Sequence, residues 1–128
     1  MRLGKLFARG VVAFALLCAL TIGGFAFTQY NRTISVTGAS PQRLSSVLSN
    51  AGYTAPDTLD ELTICNPTAA ANTLYLGQSD VSAANGFPLL AGDCKTERAV
   101  DPARPILAGQ IYLFVASTQS VNFSIRSK

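Results

Sequence analysis

Residues 77–81 read Gly-Gln-Ser-Asp-Val and are the first place to look for chemistry. A Ser on a sharp turn between two glycines is how many hydrolases expose a nucleophile. That pattern needs Gly where Val81 stands, and it needs a base for the Ser proton. The chain contains no His, so Ser-His-Asp and Cys-His arrangements are both excluded. Asp60 and Glu61 are adjacent carboxylates, but chain neighbours point apart, and solvated side chains are expected there rather than an acid–base pair. Asp80 and Asp93 flank a glycine-bearing stretch where backbone carbonyls could join them around Ca²⁺. Their spacing matches no EF-hand loop, and Asp at such positions commonly caps turns. The glycines are too widely spaced for a phosphate loop, and no Lys-Ser/Thr follows them. The residues thus imply no catalytic group, no metal and no cofactor.

Cysteine carries the clearest signal. Of the three Cys, Cys18 lies in an apolar run, leaving Cys65 and Cys94 as an even pair. Two Cys without His cannot complete a zinc site. In an exported domain the pair is expected to be bonded, and closing such a loop stabilises a fold by about 3–4 kcal/mol in the chain-entropy model.

Export is indicated by residues 1–27. Apart from Arg2, Lys5 and Arg9 they are almost wholly apolar, and residues 11–27 carry no charge. A helix over residues 10–27 would be about 27 Å long, close to the ~30 Å hydrocarbon thickness of a bilayer. The expectation is a retained single-span anchor holding lipid through residues 10–27, its basic end cytoplasmic and residues 28–128 across the membrane. The alternative is a signal segment cleaved after Ala26, where Gly24 and Ala26 are the small residues a signal peptidase reads. A twin-arginine signal is excluded because Arg2 and Arg9 are apart.

The net charge of +3 belongs to this segment. Beyond residue 27, Arg32, Arg43, Lys95, Arg98, Arg104, Arg126 and Lys128 are balanced by Asp57, Asp60, Glu61, Asp80, Asp93, Glu97 and Asp101. A neutral domain without a basic run argues against a nucleic-acid partner.

Residues 28–128 read as one domain of short strands. Residues 33–37 place Ile34 and Val36 on one face. Ser40 is an N-cap candidate, Pro41 suits the first helical turn, Leu44, Val47 and Leu48 form one helical face, and Gly52 suits a left-handed stop. Residues 53–61 read as a polar connection. Strands are expected at 62–65, 73–76, 94–97, 110–116 and 120–126, the last with Val121, Phe123 and Ile125 inward and Asn122 and Ser124 outward. Asn85-Gly86 signals a two-residue hairpin. Pro88 restricts residues 87–90 to an edge strand or a bend, and 101–105 is a loop. Strand spacing of this kind predicts a mainly β fold, a small antiparallel β-sandwich or jelly-roll-like domain with one short helix.

Over residues 62–125 the order of turns carries a resemblance. Asn66-Pro67 ends a strand. Tyr75-Leu76-Gly77, Asp80-Val81-Ser82-Ala83, Asn85-Gly86-Phe87-Pro88-Leu89 and Ala91-Gly92 follow, then a Tyr-containing strand at 111–115. This resembles the small β-sandwich proteins encoded in bacteriophage and prophage structural-gene neighbourhoods. The resemblance implies an accessory structural role at a virion surface. Combined with the apolar segment, it implies a membrane-containing virion or a prophage product on the cell envelope.

The resulting expectation is a non-enzymatic structural or interaction protein that meets a protein partner or further copies of itself. The competing expectation is a secreted or periplasmic ligand-binding domain. Recognition residues are sought at loop tips: Gln78, Ser79, Asp80, Ala83, Asn85, Arg98 and Arg104.

Overall fold

The computed structural model of the protein describes residues 28–101 and 103–127. The expected anchor at 10–27, the cleavage position after Ala26 and Cys18 lie outside them. Among the described residues no helix is long and apolar enough to cross a membrane.

The fold is mainly β and its sheets are antiparallel. The strands are β1 (Thr28–Val36), β2 (Gln42–Arg43), β3 (Thr58–Leu59), β4 (Glu61–Cys65), β5 (Leu74–Gly77), β6 (Phe87–Leu89), β7 (Cys94–Arg98), β8 (Ile106–Leu107), β9 (Tyr112–Phe114) and β10 (Gln119–Ser127). One sheet has the order β1-β10-β4-β7, a second the order β2-β9-β5-β6, and β3 pairs with β8. The two four-stranded sheets and the helix share one hydrophobic cluster. Ile34, Ile64 and Phe123 enter it from the first sheet, Leu74 and Leu113 from the second.

β10 shows how alternation builds this core. Val121, Phe123 and Ile125 are buried, while Ser120, Asn122 and Arg126 are exposed between them. A period of two places every second residue on one face, so a half-buried strand writes its orientation into its sequence. β10 pairs along its whole length with β1 and along five residues with β4, which makes it central.

Among the described residues the one α-helix, α1 (Leu44–Asn50), buries Leu44, Val47 and Leu48 as their spacing predicts. Its end is also as expected. Gly52 takes φ +82°, Gly52 N–H donates to Ser49 O at 2.9 Å, and Tyr53 N–H donates to Leu48 O at 2.9 Å, a left-handed stop that satisfies two terminal carbonyls. Its start differs. Arg43, not Ser40, occupies the cap position, extended and without a side-chain cap. The reason is tertiary: Gln42 and Arg43 pair with Leu113 and Tyr112 of β9. Arg43 Nε donates to the Tyr112 hydroxyl at 3.0 Å, and its guanidinium lies 5.5 Å from the ring centroid. Strand pairing thereby displaces the helix start past Ser40-Pro41.

Other boundaries shift for similar reasons. Within the described residues β1 extends back from Ile34 to Thr28, along a nine-residue ladder with β10. The connection at 53–61 contains β3, whose Leu59 is buried at 1% exposure. The strand expected at 110–116 is reduced to β9, preceded by a 3-10 turn at Ala108–Gln110. β6 is an edge strand carrying Pro88, as the proline requires.

Candidate recognition surface

Cys65 and Cys94 are bonded, with Cα atoms 4.0 Å apart. They stand directly opposite each other in the β4–β7 register. The bridge therefore fastens the edge strand β7 to β4 and closes a loop from which the second sheet takes β5 and β6.

Beside the bridge is a polar knot that sequence reasoning missed. Asn66 is 1% exposed. Its amide nitrogen donates to Asn72 O and to Leu89 O, both at 2.9 Å, and its amide oxygen accepts from Gln119 Nε2 at 2.9 Å. Its backbone donates to Asp93 O and accepts from Gly92 N–H. Gln119 Oε1 in turn accepts from Asn72 N–H at 3.1 Å. One buried amide thus joins the ends of three segments, each hydrogen-bonding group matched to a partner. Asn66-Pro67 reads in sequence as a strand stop, and nothing local separates a stop from a buried anchor.

The candidate loop residues divide. Gln78, Ser79, Asp80, Ala83 and Asn85 share the single β5–β6 connection. Asn85 does not form the two-residue hairpin expected of Asn-Gly. Its side chain organises the loop from within: Oδ1 accepts from Ser82 N–H at 2.7 Å and Ser82 Oγ at 2.9 Å, and Nδ2 donates to Asp80 O at 3.1 Å. Gly86 N–H closes the turn onto Ser82 O at 2.9 Å. The loop wraps a buried plug, Val81, 2% exposed. Gly86 is required by contact rather than by φ, since a Cβ there would lie 2.7 Å from Tyr75 Cβ and 2.8 Å from Val81 Cγ2. The plug drives the geometry: burying Val81 demands a wider loop than a tight hairpin permits. Most of the loop's polar groups are thereby engaged with one another.

Arg98 stands in β7, not in a loop, where its Nε lies 2.9 Å from Glu61 Oε2. Arg126 Nη2 approaches the same carboxylate oxygen at 3.8 Å. Glu61 is therefore the acid of a small charged group, apart from Asp60. Arg104 sits in the β7–β8 loop, its N–H on Asp101 O at 2.8 Å. Asp93 caps a turn, accepting from Leu90 N–H at 3.0 Å, the role expected of it in preference to cation binding. Among the described residues no group of three or more His, Cys, Asp or Glu could hold a metal ion.

The outer face of the first sheet is polar. Across it Asn31, Ser124, Thr63 and Thr96 stand in one row, and Thr33, Asn122, Cys65 and Cys94 in the next. A third row is Gln29, Arg126, Glu61 and Arg98. Thr33 Oγ1 donates to Asn122 Oδ1 at 2.7 Å, and the Thr63 and Thr96 hydroxyls lie 2.8 Å apart. Asn31, Thr33, Thr63, Asn122 and Ser124 line a shallow depression of about 640 Å³. Short amides and hydroxyls on a sheet present donors and acceptors at low conformational cost. Such a face suits polar contact with another surface. Only the outward Asn122 and Ser124 were legible beforehand, from alternation in 120–126.

A narrower feature opens between the sheets beside β7. Leu62, Ile64, Leu76 and Ile111 line a slot of about 120 Å³. Lys95 and Glu97 oppose Ile64 and Leu62 in register, so these two charges stand on the core side of the strand. They pair at 3.0 Å, and Lys95 Nζ lies 4.6 Å from the centroid of the Phe87 ring.

The chain matches no protein-family model, no curated protein and no solved structure with which it was compared.

Proposed function

We propose that this protein is a non-enzymatic, membrane-anchored structural component, associated with a phage or prophage virion or with the cell envelope. Residues 10–27 hold the lipid. The domain beyond them is a small jelly-roll-like β-sandwich that makes assembly contacts. The observation that carries this reading is the outer face of the β1-β10-β4-β7 sheet: ordered rows of short polar side chains lying beside a strand edge. Other features agree with it. The Cys65–Cys94 bridge suits the oxidising side of a membrane. The β5–β6 loop is braced by hydrogen bonds between Asn85 and Ser82, which suits a scaffold better than a ligand clamp.

Intact mass and fractionation test the anchor. The full chain, recovered from its native membrane or particle, is expected to retain residues 1–26 and to resist an alkaline carbonate wash. A soluble chain beginning at Phe27 would overturn the anchored reading in favour of a secreted ligand-binding domain.

A further inference from the structure

The four strand edges of the two main sheets are unequal. An open edge exposes unpaired N–H and C=O groups, and natural edges are blunted by proline, by shortness, by core-side charges or by a covering element. β6 carries Pro88 and β2 is only two residues long. β7 carries the core-side pair Lys95 and Glu97. β1 runs for nine residues with no proline and no break in register, and it carries one core-side charge, Arg32, opposite Phe123. Its later half is bordered by α1: residues 33–35 and 37 face Val47, Asn50 and Ala51 across a groove of about 280 Å³. Among the described residues its earlier half meets Tyr53, whose ring stacks on Tyr30.

We infer that residues 28–34 of β1 are an assembly edge, at which a second copy of the chain adds its own β1 antiparallel about Asn31. The inference deepens the anchored-assembly reading and rests on it for the partner's identity. In anchored copies β1 follows the proposed lipid-holding residues 10–27 in the chain, so every copy carries this strand near the same membrane surface.

The register follows from parity and charge. Side chains alternate between faces, so pairing must match odd residues with odd and even with even. A two-fold at Arg32 would oppose two guanidinium groups, which is repulsive. A two-fold at Thr33 would set Arg32 against Ile34 and extend into the half bordered by α1. A two-fold at Asn31 sets Arg32 opposite Tyr30, a cation beside an aromatic ring, and pairs Thr33 with Gln29. Tyr30 is pre-ordered for this contact, its ring stacked on Tyr53 with centroids 3.9 Å apart. The same pairing would extend the outer polar face across both copies, because a two-fold perpendicular to a sheet keeps each face on its own side.

Cysteine cross-linking of the full chain in detergent micelles tests the register, with Cys18→Ser as background. Under mild oxidation Asn31→Cys is expected to give a covalent dimer and Thr33→Cys alone a monomer. Mixing the Thr33→Cys and Gln29→Cys chains is expected to restore the dimer. Native mass of the unsubstituted chain in the same micelles is expected to be twice that of the monomer. A monomeric native mass, or a dimer from Thr33→Cys as abundant as that from Asn31→Cys, overturns the inference. The anchor is read separately. Carbonate-resistant chains without the Asn31→Cys dimer leave the anchor and refute the edge, whereas a soluble cross-linked dimer does the reverse.

Discussion

β7 and β1 are the two borders of one sheet, and they are built in opposite ways. β7 is tied to its neighbour by the Cys65–Cys94 bridge, and it turns Lys95 and Glu97 toward the core side, where apolar side chains would otherwise fill the slot over Leu62 and Ile64. β1 is held by its ladder to β10, by the Thr33–Asn122 hydrogen bond, by Ile34 and Val36 in the core, and by the Tyr30–Tyr53 stack. The difference shows what closing an edge costs. β7 forgoes apolar burial and leaves a gap between the sheets. β1 keeps Ile34 and Val36 in the core, gives one inward position to Arg32, and leaves a backbone edge open. Burial and edge protection compete for the same side chains here, because an inward position given to a guarding charge is lost to the core.

The strongest way to break the contrast is to cut the staple. Replacing Cys65 and Cys94 with Ala frees β7 and enlarges the unfolded ensemble. The expected loss is about 3–4 kcal/mol, read as a lower urea midpoint than that of the oxidised protein. An unchanged midpoint would show that β7 is held by its ladder alone.

A smaller effect is expected one residue away. Asn66→Ala removes the Asn66 amide from Leu89 O, Asn72 O and Gln119 Nε2 in a buried setting, leaving Gln119 Nε2 with Asn72 O alone. The expected cost is about 1–3 kcal/mol by denaturant titration, with the disulfide intact by mass. A cost near zero would mean that water replaces the amide and that the knot does not fix this end of β10.

The smallest effect on stability sharpens the comparison most. Lys95→Val with Glu97→Val removes a partly exposed ion pair and adds apolar volume at the slot. The net change in folding stability is expected to stay within about 1 kcal/mol, since exposed pairs contribute little. Self-association through β7 is expected to rise with concentration, as measured by sedimentation velocity. A double variant that associates no more than the parent would show that these charges do not guard the edge.

How far the sequence could be read follows from the range of the forces involved. Leu44, Val47 and Leu48 announce a helical face, and Gly52 its left-handed stop, because both depend on residues a few positions away. Val121, Phe123 and Ile125 announce a half-buried strand for the same reason. Cys65 and Cys94 could be matched because only that pair remained beyond the apolar segment. Ser40-Pro41 misled, because strand pairing of Gln42 and Arg43 with β9 outweighed a local cap. Asn85-Gly86 misled, because Val81 needed a buried seat that a two-residue turn would not provide.

Composition and local pattern therefore determined the mainly β class, the helix face, the inward residues of β10, the neutrality of residues 28–128 and the identity of the bridge. Tertiary structure alone decided that Asn66 is a buried anchor, that Arg98 belongs to a strand facing Glu61, and that β1 and β7 are the two borders of one sheet. The physical reason is that edge position and burial of a polar group are properties of which strands become neighbours. That choice is made by long-range hydrophobic packing, and no window of sequence contains it.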